Sequence, residues 1–449
     1  MNAVPEIQKT DAEQGYLSQF DALHENMPGD DWVAEQRNAA IRKFGELGLP
    51  HRRIEAWKYT DLRMMLKEAL TPAGNDLAKV SDGDLYQALG ADLHGISAHH
   101  IVFVDGVYDE DNSFIISDEA GLVHMTSLRE TLENPPEWFK QKFNTVNPQQ
   151  DDPIIALNTA FMKDGAVLEI VKDAKITRPV HLIYISSSAT AEAITERNFI
   201  HVEEGASVTI LESYVHLRAP DTQRNSVTEL SLAKGAKVNH IKFQHEGAKA
   251  SHLSNWMVSI GDNADYRGFQ FTIGAKLSRN SINISFDGSG SKGDISGIAL
   301  LWDEQHADTT MNIVHGVPDT LSRELFKAVL DDRGRAVFQG KLVVKPYAQK
   351  IDAKQMAHGM LLSENAEFDA KPELEIYADD VVCGHGATSG QLDEDMMFYM
   401  RQRGMSEETV QSLLILAFVG EALELIEDEQ IRDAFTVAAQ AWLGGKSNE

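Results

Sequence analysis

A short turn-and-strand pattern recurs in the middle of this chain at intervals close to 30 residues. The motif Gly-Ala-x-Val begins at Gly205 and again at Gly235, and a related form begins at Asn263, so that the separations are 30 and 28 residues. Looser copies begin at Asn365 and Gly165. A Gly or Asn suits a left-handed turn, and the alternating residues after it suit a strand. Strand-rich repeats of this length without helices between them predict the coils of a β-solenoid.

The alternative interpretation of this region is a β-sandwich, whose strands need not repeat at a fixed period. The regular spacing favours the solenoid. We therefore expect a mainly β protein whose coils stack in parallel, with ladders of Val, Ile, Leu and Phe filling the interior. Two antiparallel sheets packed face to face would contradict this prediction.

Helical patterns precede and follow the repeats. Asp31 is expected to cap an N-terminal helix that ends near Gly48, and Asp393 and Ser406 are expected to cap helices near the other end. A third C-terminal helix runs towards Trp442. We predict three parts, namely a mostly helical N-terminal domain (1–150), with loops at Asn147-Pro148 and at Asp151, a β-helix core (151–392) and a C-terminal helical domain (393–449).

Two functions are open for the C-terminal helices. The stretch from Leu413 to Val419 is apolar nearly all round, so it is expected to be buried either in this chain or against another chain. The simpler alternative is a helical cap that covers the open end of the solenoid, which repeat folds need.

Composition limits the classes of partner. The chain has 41 basic and 69 acidic residues, a formal net charge of −28, which argues against binding to nucleic acid or to anionic membranes through its general field. Met1 to Glu6 shows no secretory signal pattern, and the apolar stretch from Leu413 to Val419 is too short to span a bilayer. A single cysteine, Cys383, is typical of a reducing compartment. We expect a cytoplasmic protein.

Cys383 is followed two residues later by His385, with a glycine on each side of the histidine. In an extended strand these two side chains share a face and place a thiol beside an imidazole, which is half of a soft-metal site. An iron–sulfur cluster usually needs four ligands, so one chain with one cysteine would have to share such a cluster with a partner. The alternative is a small buried cysteine with a packed histidine nearby.

Several other patterns are interpreted as structural. The glycines from Gly288 to Gly293 match G-x-G-x-x-G, but a strand pattern follows them where a dinucleotide-binding motif needs a helix, so we expect a loop. There is no Walker A sequence, so the chain is not expected to bind or hydrolyse nucleotide. His306 and His315 could reach a common site, although polar positions at solenoid corners explain them better. The aromatic run from Arg53 to Thr60 is either a packing anchor or a recognition surface.

From Ser322 to Gly404 the sequence resembles the SufB/SufD family of iron–sulfur cluster assembly proteins. The resemblance is strongest in the run Cys383-Gly384-His385-Gly386-Ala387-Thr388, which is similar to the SufD-type signature, whereas the further cysteines of SufB-type members are missing. The run Glu55-Ala56-Trp57-Lys58-Tyr59-Thr60 resembles the family's N-terminal motif. Other matching segments are Phe326–Leu330, Phe338–Lys341, Ala348–Ala353, Gln355, Leu361–Ser363, Lys371–Ile376, Asp379–Val381 and Phe398–Tyr399.

The resemblance implies a right-handed parallel β-helix flanked by helical domains. It implies a non-catalytic scaffold subunit that pairs with a SufB-like subunit and carries a SufC-like ATPase on its C-terminal helices (393–443). A transient cluster or iron would be held at the interface with the SufB-like subunit, with His385 as a ligand and Cys383 as a second, less certain one. The alternatives are an interaction protein with an inert Cys/His pair and a β-helix enzyme that acts on polysaccharide.

Overall fold

The structure is a computed structural model and describes residues 9–74, 77–146, 152–218 and 221–445. The predicted loops at Asn147-Pro148 and Asp151, and the segment used for the signal-sequence prediction, lie outside these residues. The helices are α1 (Asp11–Leu23), α2 (Asp31–Leu47), α3 (Leu62–Met65), α4 (Asp82–His94), α5 (Leu128–Glu133), α6 (Glu137–Lys142), α7 (Pro153–Phe161), α8 (Glu394–Gln402), α9 (Glu407–Leu423) and α10 (Glu429–Gly445).

The strands form two long sheets. They are β1 (His99–Val104), β2 (Val107–Phe114), β3 (Val123–Ser127), β4 (Ala166–Ile170), β5 (Val180–Ser186), β6 (Glu192–Val202), β7 (Ser207–His216), β8 (Thr222–Leu232), β9 (Lys237–Glu246), β10 (Ser251–Ile260), β11 (Asp265–Gly274), β12 (Leu277–Phe286), β13 (Lys292–Leu301), β14 (His306–His315), β15 (Leu321–Leu330), β16 (Arg335–Val344), β17 (Ile351–Leu361), β18 (Glu367–Ile376) and β19 (Val381–Gly390).

The two sheets are the walls of a parallel β-helix. Odd-numbered strands from β5 to β19 form one sheet and even-numbered strands from β4 to β18 form the other, each strand pairing in parallel with the next of its own sheet. Antiparallel pairing within the described residues is confined to β1 with β2 and β3 with β4, at the N-terminal end. The predicted β-helix is therefore confirmed, and the sandwich alternative is wrong.

The repeated motif marks one corner of each coil. Gly205, Gly235 and Asn263 have φ angles of 69°, 67° and 52°, and each precedes by two residues a strand position that pairs with the next coil. The same corner is left-handed in coils where the sequence motif is absent, at Asp173, Gly290, Asp319 and Lys350. Asn365 is not in this set, because it precedes β18 in the other sheet. The sequence motif is lost in these coils, but the backbone conformation is kept, because Asp and Lys adopt the left-handed conformation that Gly adopts in the other coils.

The interior of the β-helix has an apolar part and a polar part. Val208 and Val238 stack inside as predicted, with 4% and 2% exposure. Apolar ladders do not fill the whole interior, however, because Arg224 is fully buried and pairs with Glu196 and with Glu246, whose Oε1 atom lies 2.8 Å from Nε of the arginine. The interior is therefore partly an ion-pair network, in contrast to the fully apolar ladders expected from the sequence.

The aromatic run from Arg53 to Thr60 anchors the N-terminal part on the outside of the β-helix. Arg279 of β12 lies 4.1 Å from the ring centroid of Trp57 and donates through Nη2 to the Ala56 carbonyl at 2.8 Å. Thr60 Oγ1 lies 2.9 Å from His306 Nε2 and also hydrogen-bonds Asp308. The run is thus a packing anchor between two parts of the chain. It contacts the solenoid, and Trp57 also belongs to one buried apolar cluster with Tyr16 and Phe44 of the N-terminal helices.

The C-terminal helices do not cap the open end of the solenoid. Phe435 of α10 packs against Phe243 and Phe271 on the outer face of the odd-numbered sheet, with ring centroids 5.3 and 5.2 Å apart. Lys327 of β15 donates to the Phe418 carbonyl of α9 at 2.7 Å. The capping alternative is therefore wrong, and the last coil is left uncovered by these contacts.

Three smaller predictions have clear outcomes. The glycines near Gly288 form a turn followed by β13, as expected for a loop. His306 and His315 stand at opposite ends of β14, roughly 30 Å apart for a ten-residue strand, so they do not share a site. The cap of α2 is Asp30, which accepts from the Val33 amide, one residue before the predicted cap.

Within the described residues, no helix is long and apolar enough to cross a membrane.

Candidate functional site

The β-helix ends in two neighbouring strands, each with one edge that pairs with no other strand in the described structure. β18 is the last strand of the even-numbered sheet and β19 is the last of the odd-numbered sheet. Their residues are mostly exposed or half-buried. One coil inward, β16 is largely buried, and in β17 every second residue from Ile351 to Gly359 is buried. Unpaired edges of this length are templates for pairing with another chain.

The two edges differ in how well they are protected. β18 carries Lys371, Pro372 and Glu373 at its centre, and charges and proline are the features that blunt edge strands. β19 has the sequence VVCGHGATSG, without charge or proline. β19 is therefore the edge that is open to strand addition.

Cys383 and His385 point to the inner face of β19. In register they lie on Ala353 and Gln355 of β17, which are both fully buried inside the solenoid. Cys383 is half-buried and packs against the main core, but His385 is exposed because no further coil in the described part of the chain covers it. The predicted shared face is present, and the histidine is the member of the pair that a partner could reach.

Glycines on both sides leave space around His385. A Cβ placed on Gly384 would meet no atom within 4 Å, whereas one on Gly386 would come 3.0 Å from the tip of the Met356 side chain. Since Gly384 is on the outer face, no side chain covers the backbone of β19 there. Another backbone can approach β19 closely at this point.

Cys383 is a thiol in the free chain. Burial raises its pKa, and the negative charges of Asp352 and Glu324 act in the same direction, while the Ala353 backbone opposes them. Only the thiolate is a good metal ligand. Cys383 would therefore bind a metal less readily than an exposed neutral imidazole.

The structure also brings together residues that sequence reasoning missed as site candidates. Glu324 of β15 lies under Gln355, and Gln355 lies under His385, so that the three side chains form one column leading inward from the open end. Glu324 is 2% exposed. The burial of β15 alternates from Leu321 to Phe326, with Ser322, Glu324 and Phe326 at inward positions, but the order of polar and apolar residues in this strand does not mark Glu324 as inward.

No complete metal site exists in the part of the chain that the structure describes. No group of three or more His, Cys, Asp or Glu side chains there is arranged to hold a metal ion. Cys383 and His385 can supply at most two ligands. Any iron or cluster bound here needs ligands from a second chain or from solvent.

A second exposed surface lies on α8. Asp393 caps this helix by accepting from the Met396 amide at 2.9 Å, and no residue of the helix is buried. Met396, Phe398 and Tyr399 are 45%, 66% and 54% exposed. Three large apolar side chains on one short helix are more than an isolated helix normally exposes to water and are typical of a protein contact.

Comparison with known proteins identifies two family regions that together span most of the chain. Residues 10–182 match the SufBD protein N-terminal region, and residues 184–418 match the SufBD core domain of SUF system FeS cluster assembly.

Three relatives illustrate the similarity. An iron–sulfur cluster assembly SufBD family protein of Synechocystis is 31% identical over 410 residues, 88% of each chain. The iron–sulfur cluster assembly protein SufD of Escherichia coli is 27% identical over 88% of this chain and 90% of its own length. The protein ABCI7 of Arabidopsis thaliana is 30% identical over 64% of this chain and 62% of its own length.

Proposed function

This chain belongs to the SufBD family of iron–sulfur cluster assembly proteins, and we propose that it is a non-catalytic scaffold subunit of a cytoplasmic assembly complex. It pairs through β19 with a SufB-like subunit. The observation that carries the proposal is the exposure of His385 on an uncharged, unpaired edge strand at the open end of the β-helix.

The chemistry of the edge supports iron or a nascent cluster as the substrate. A neutral imidazole binds iron near neutral pH, and its exposure at the open end lets a partner bring the remaining ligands. Thiolates and carboxylates from the SufB-like subunit would complete the coordination. Cys383 is a secondary ligand in this proposal, because its thiol is half-buried with a raised pKa. The iron or cluster is held only transiently, and nucleotide is handled by another subunit.

The C-terminal helices supply the contact for a SufC-like ATPase. α9 and α10 are fixed on the odd-numbered sheet by Phe435 and Lys327, so they form a rigid base. α8 then presents Met396, Phe398 and Tyr399 outward. Because α9 is attached to β15 through Lys327, an ATPase bound to α8 can transmit its movement to the β-helix near β15.

Anaerobic analysis of iron and acid-labile sulfide tests the proposal. The chain would be purified alone and together with its SufB-like and SufC-like partners. We expect iron and sulfide only in the complex, since one chain has too few ligands. Equal iron and sulfide in the chain alone and in the complex would contradict a shared site, and their absence from the complex under reconstituting conditions would contradict the function.

A further inference from the structure

Glu324 is a buried acidic group whose environment the proposed function does not explain. Within the described residues, neither of its carboxylate oxygens makes a hydrogen bond of normal geometry. Other buried carboxylates inside the solenoid have cationic partners, as Glu246 has Arg224. A buried carboxylate without such a partner is costly unless it is protonated or binds a cation.

The cationic side chains nearest in sequence point away from Glu324. Arg323 and Lys327 are at outward positions of β15, where Arg323 pairs with Asp352 at 2.7 Å and Lys327 binds α9. Burial raises the pKa of Glu324 to about 8, although the Ser322 hydroxyl and the charge of Arg323 oppose the shift. A cation that binds this carboxyl group would displace its proton, which passes to water.

Gln355 provides a second unsatisfied oxygen directly above Glu324. Its Nε2 donates to the Gly340 carbonyl at 3.3 Å, but its buried Oε1 has no hydrogen-bond partner in the described structure. A Cβ on Gly340 would come within 2.4 Å of the Gln355 amide. The glycine in the opposite sheet is thus what allows this amide to lie across the interior.

We propose that Glu324 and Gln355 form an inner binding site for a divalent cation, which enters from the open end of the β-helix past His385. The identity of that cation as ferrous iron rests on the proposed function, while the site itself rests on the two unsatisfied buried side chains. Carboxylate and amide oxygens are hard donors that suit divalent ions, and water completes the coordination. His385 lies two strands away in the same column, roughly 10 Å from Glu324.

Binding of Mn²⁺ to the full-length chain, followed by the loss of the free-ion electron paramagnetic resonance signal, tests this site. We expect Glu324→Gln to weaken the tightest class of Mn²⁺ binding at least tenfold, because the substitution keeps the shape and removes the charge. Glu364→Gln is the matched control, since Glu364 is exposed near the same end of the solenoid. It is expected to bind Mn²⁺ like the wild type.

A second variant keeps the test independent of how well Glu324→Gln folds. Gly340→Ala leaves the carboxylate in place but displaces the Gln355 amide, and we expect several-fold weaker Mn²⁺ binding. Wild-type affinity in Glu324→Gln would overturn the proposal, as would wild-type affinity in Gly340→Ala or a wild-type chain that binds no Mn²⁺ at millimolar concentration.

The two proposals fail in different ways. Loss of Mn²⁺ binding in Glu324→Gln, together with normal cluster content in a complex that carries His385→Ala, would uphold the inner site and contradict the proposed ligand function of His385. Normal Mn²⁺ binding in Glu324→Gln, together with cluster loss in the His385→Ala complex, would overturn the inner site alone.

Discussion

Cys383 and His385 share the inner face of the last strand, yet only His385 is exposed. Cys383 stacks on Ala353 and is half-buried against the core, whereas His385 stacks on Gln355 with no coil above it. Adjacent inward positions of one strand thus have different chemistry. The cysteine contributes to packing, and the histidine is available at the open end.

Inward residues of the coils are expected to tolerate charge poorly. Val238→Asp buries an unpaired carboxylate in the apolar side of the interior, so it should lower the free energy of unfolding by several kcal/mol. Chemical denaturation measures this change. Lys237→Asp is the control, because Lys237 is the exposed, outward neighbour. A similar stability for the two variants would contradict the inward orientation of Val238.

The buried network around Arg224 is expected to be sensitive to the loss of its cation. Arg224→Ala leaves Glu196 and Glu246 buried without that partner, so we expect a loss of ~3–5 kcal/mol in the free energy of unfolding. Lys172→Ala, which removes the cation of the exposed pair with Glu204, should leave the free energy of unfolding almost unchanged. Equal losses in the two variants would mean that the interior is hydrated.

The anchor at Thr60 and His306 should weaken in acid. Burial lowers the pKa of His306 to about 4, although Asp308 opposes the shift, so the folded chain binds this proton less readily than the unfolded chain, whose histidines titrate near 6.5. Stability is therefore lost as pH falls from about 6.5 towards 4. Between pH 7.5 and 5.5 the wild type should lose about 1 kcal/mol more than His306→Gln.

Denaturation of both proteins at the two pH values measures this difference. His124→Gln, at a side chain that is 60% exposed, should follow the wild type. The same pH dependence in His306→Gln and in the wild type would show that His306 is not the group responsible.

Attachment of the ATPase is expected to depend on α8. Phe398→Glu places a charge on a side chain that is 66% exposed, so it should abolish co-purification with a SufC-like subunit and leave the melting temperature unchanged. Phe114→Glu, at a phenylalanine 50% exposed at the other end of the solenoid, is the control. Co-purification that survives in Phe398→Glu would move the contact elsewhere on the chain.

The sequence was sufficient to predict the β-helix because Gly205, Gly235 and Asn263 occupy the same left-handed corner in successive coils. It left open where the C-terminal helices pack, since an apolar face does not say whether it covers the end or the side of a solenoid. It also could not identify Glu324 as a candidate. Whether an inward carboxylate has a cationic partner depends on which residues of neighbouring coils and of the opposite sheet surround it, and the repeat pattern does not contain that information.

The geometry of the candidate site was predicted in part. The spacing of Cys383 and His385 gave their shared face, but their different exposure follows from the end of the solenoid lying immediately beyond β19.

Cys383→Ser is accordingly expected to reduce cluster content only mildly, because the partner can supply better-placed thiolates.

The most direct test of the account is the iron, sulfide and visible absorption of the assembled complex carrying His385→Ala, reconstituted anaerobically. We expect the variant complex to assemble and to melt like the wild type, because His385 is exposed, but to lack the iron and the cluster absorption. His358→Ala removes an imidazole from the outer face of β17 and should leave both at wild-type levels. A His385→Ala complex with a normal cluster spectrum and normal iron would contradict the central claim.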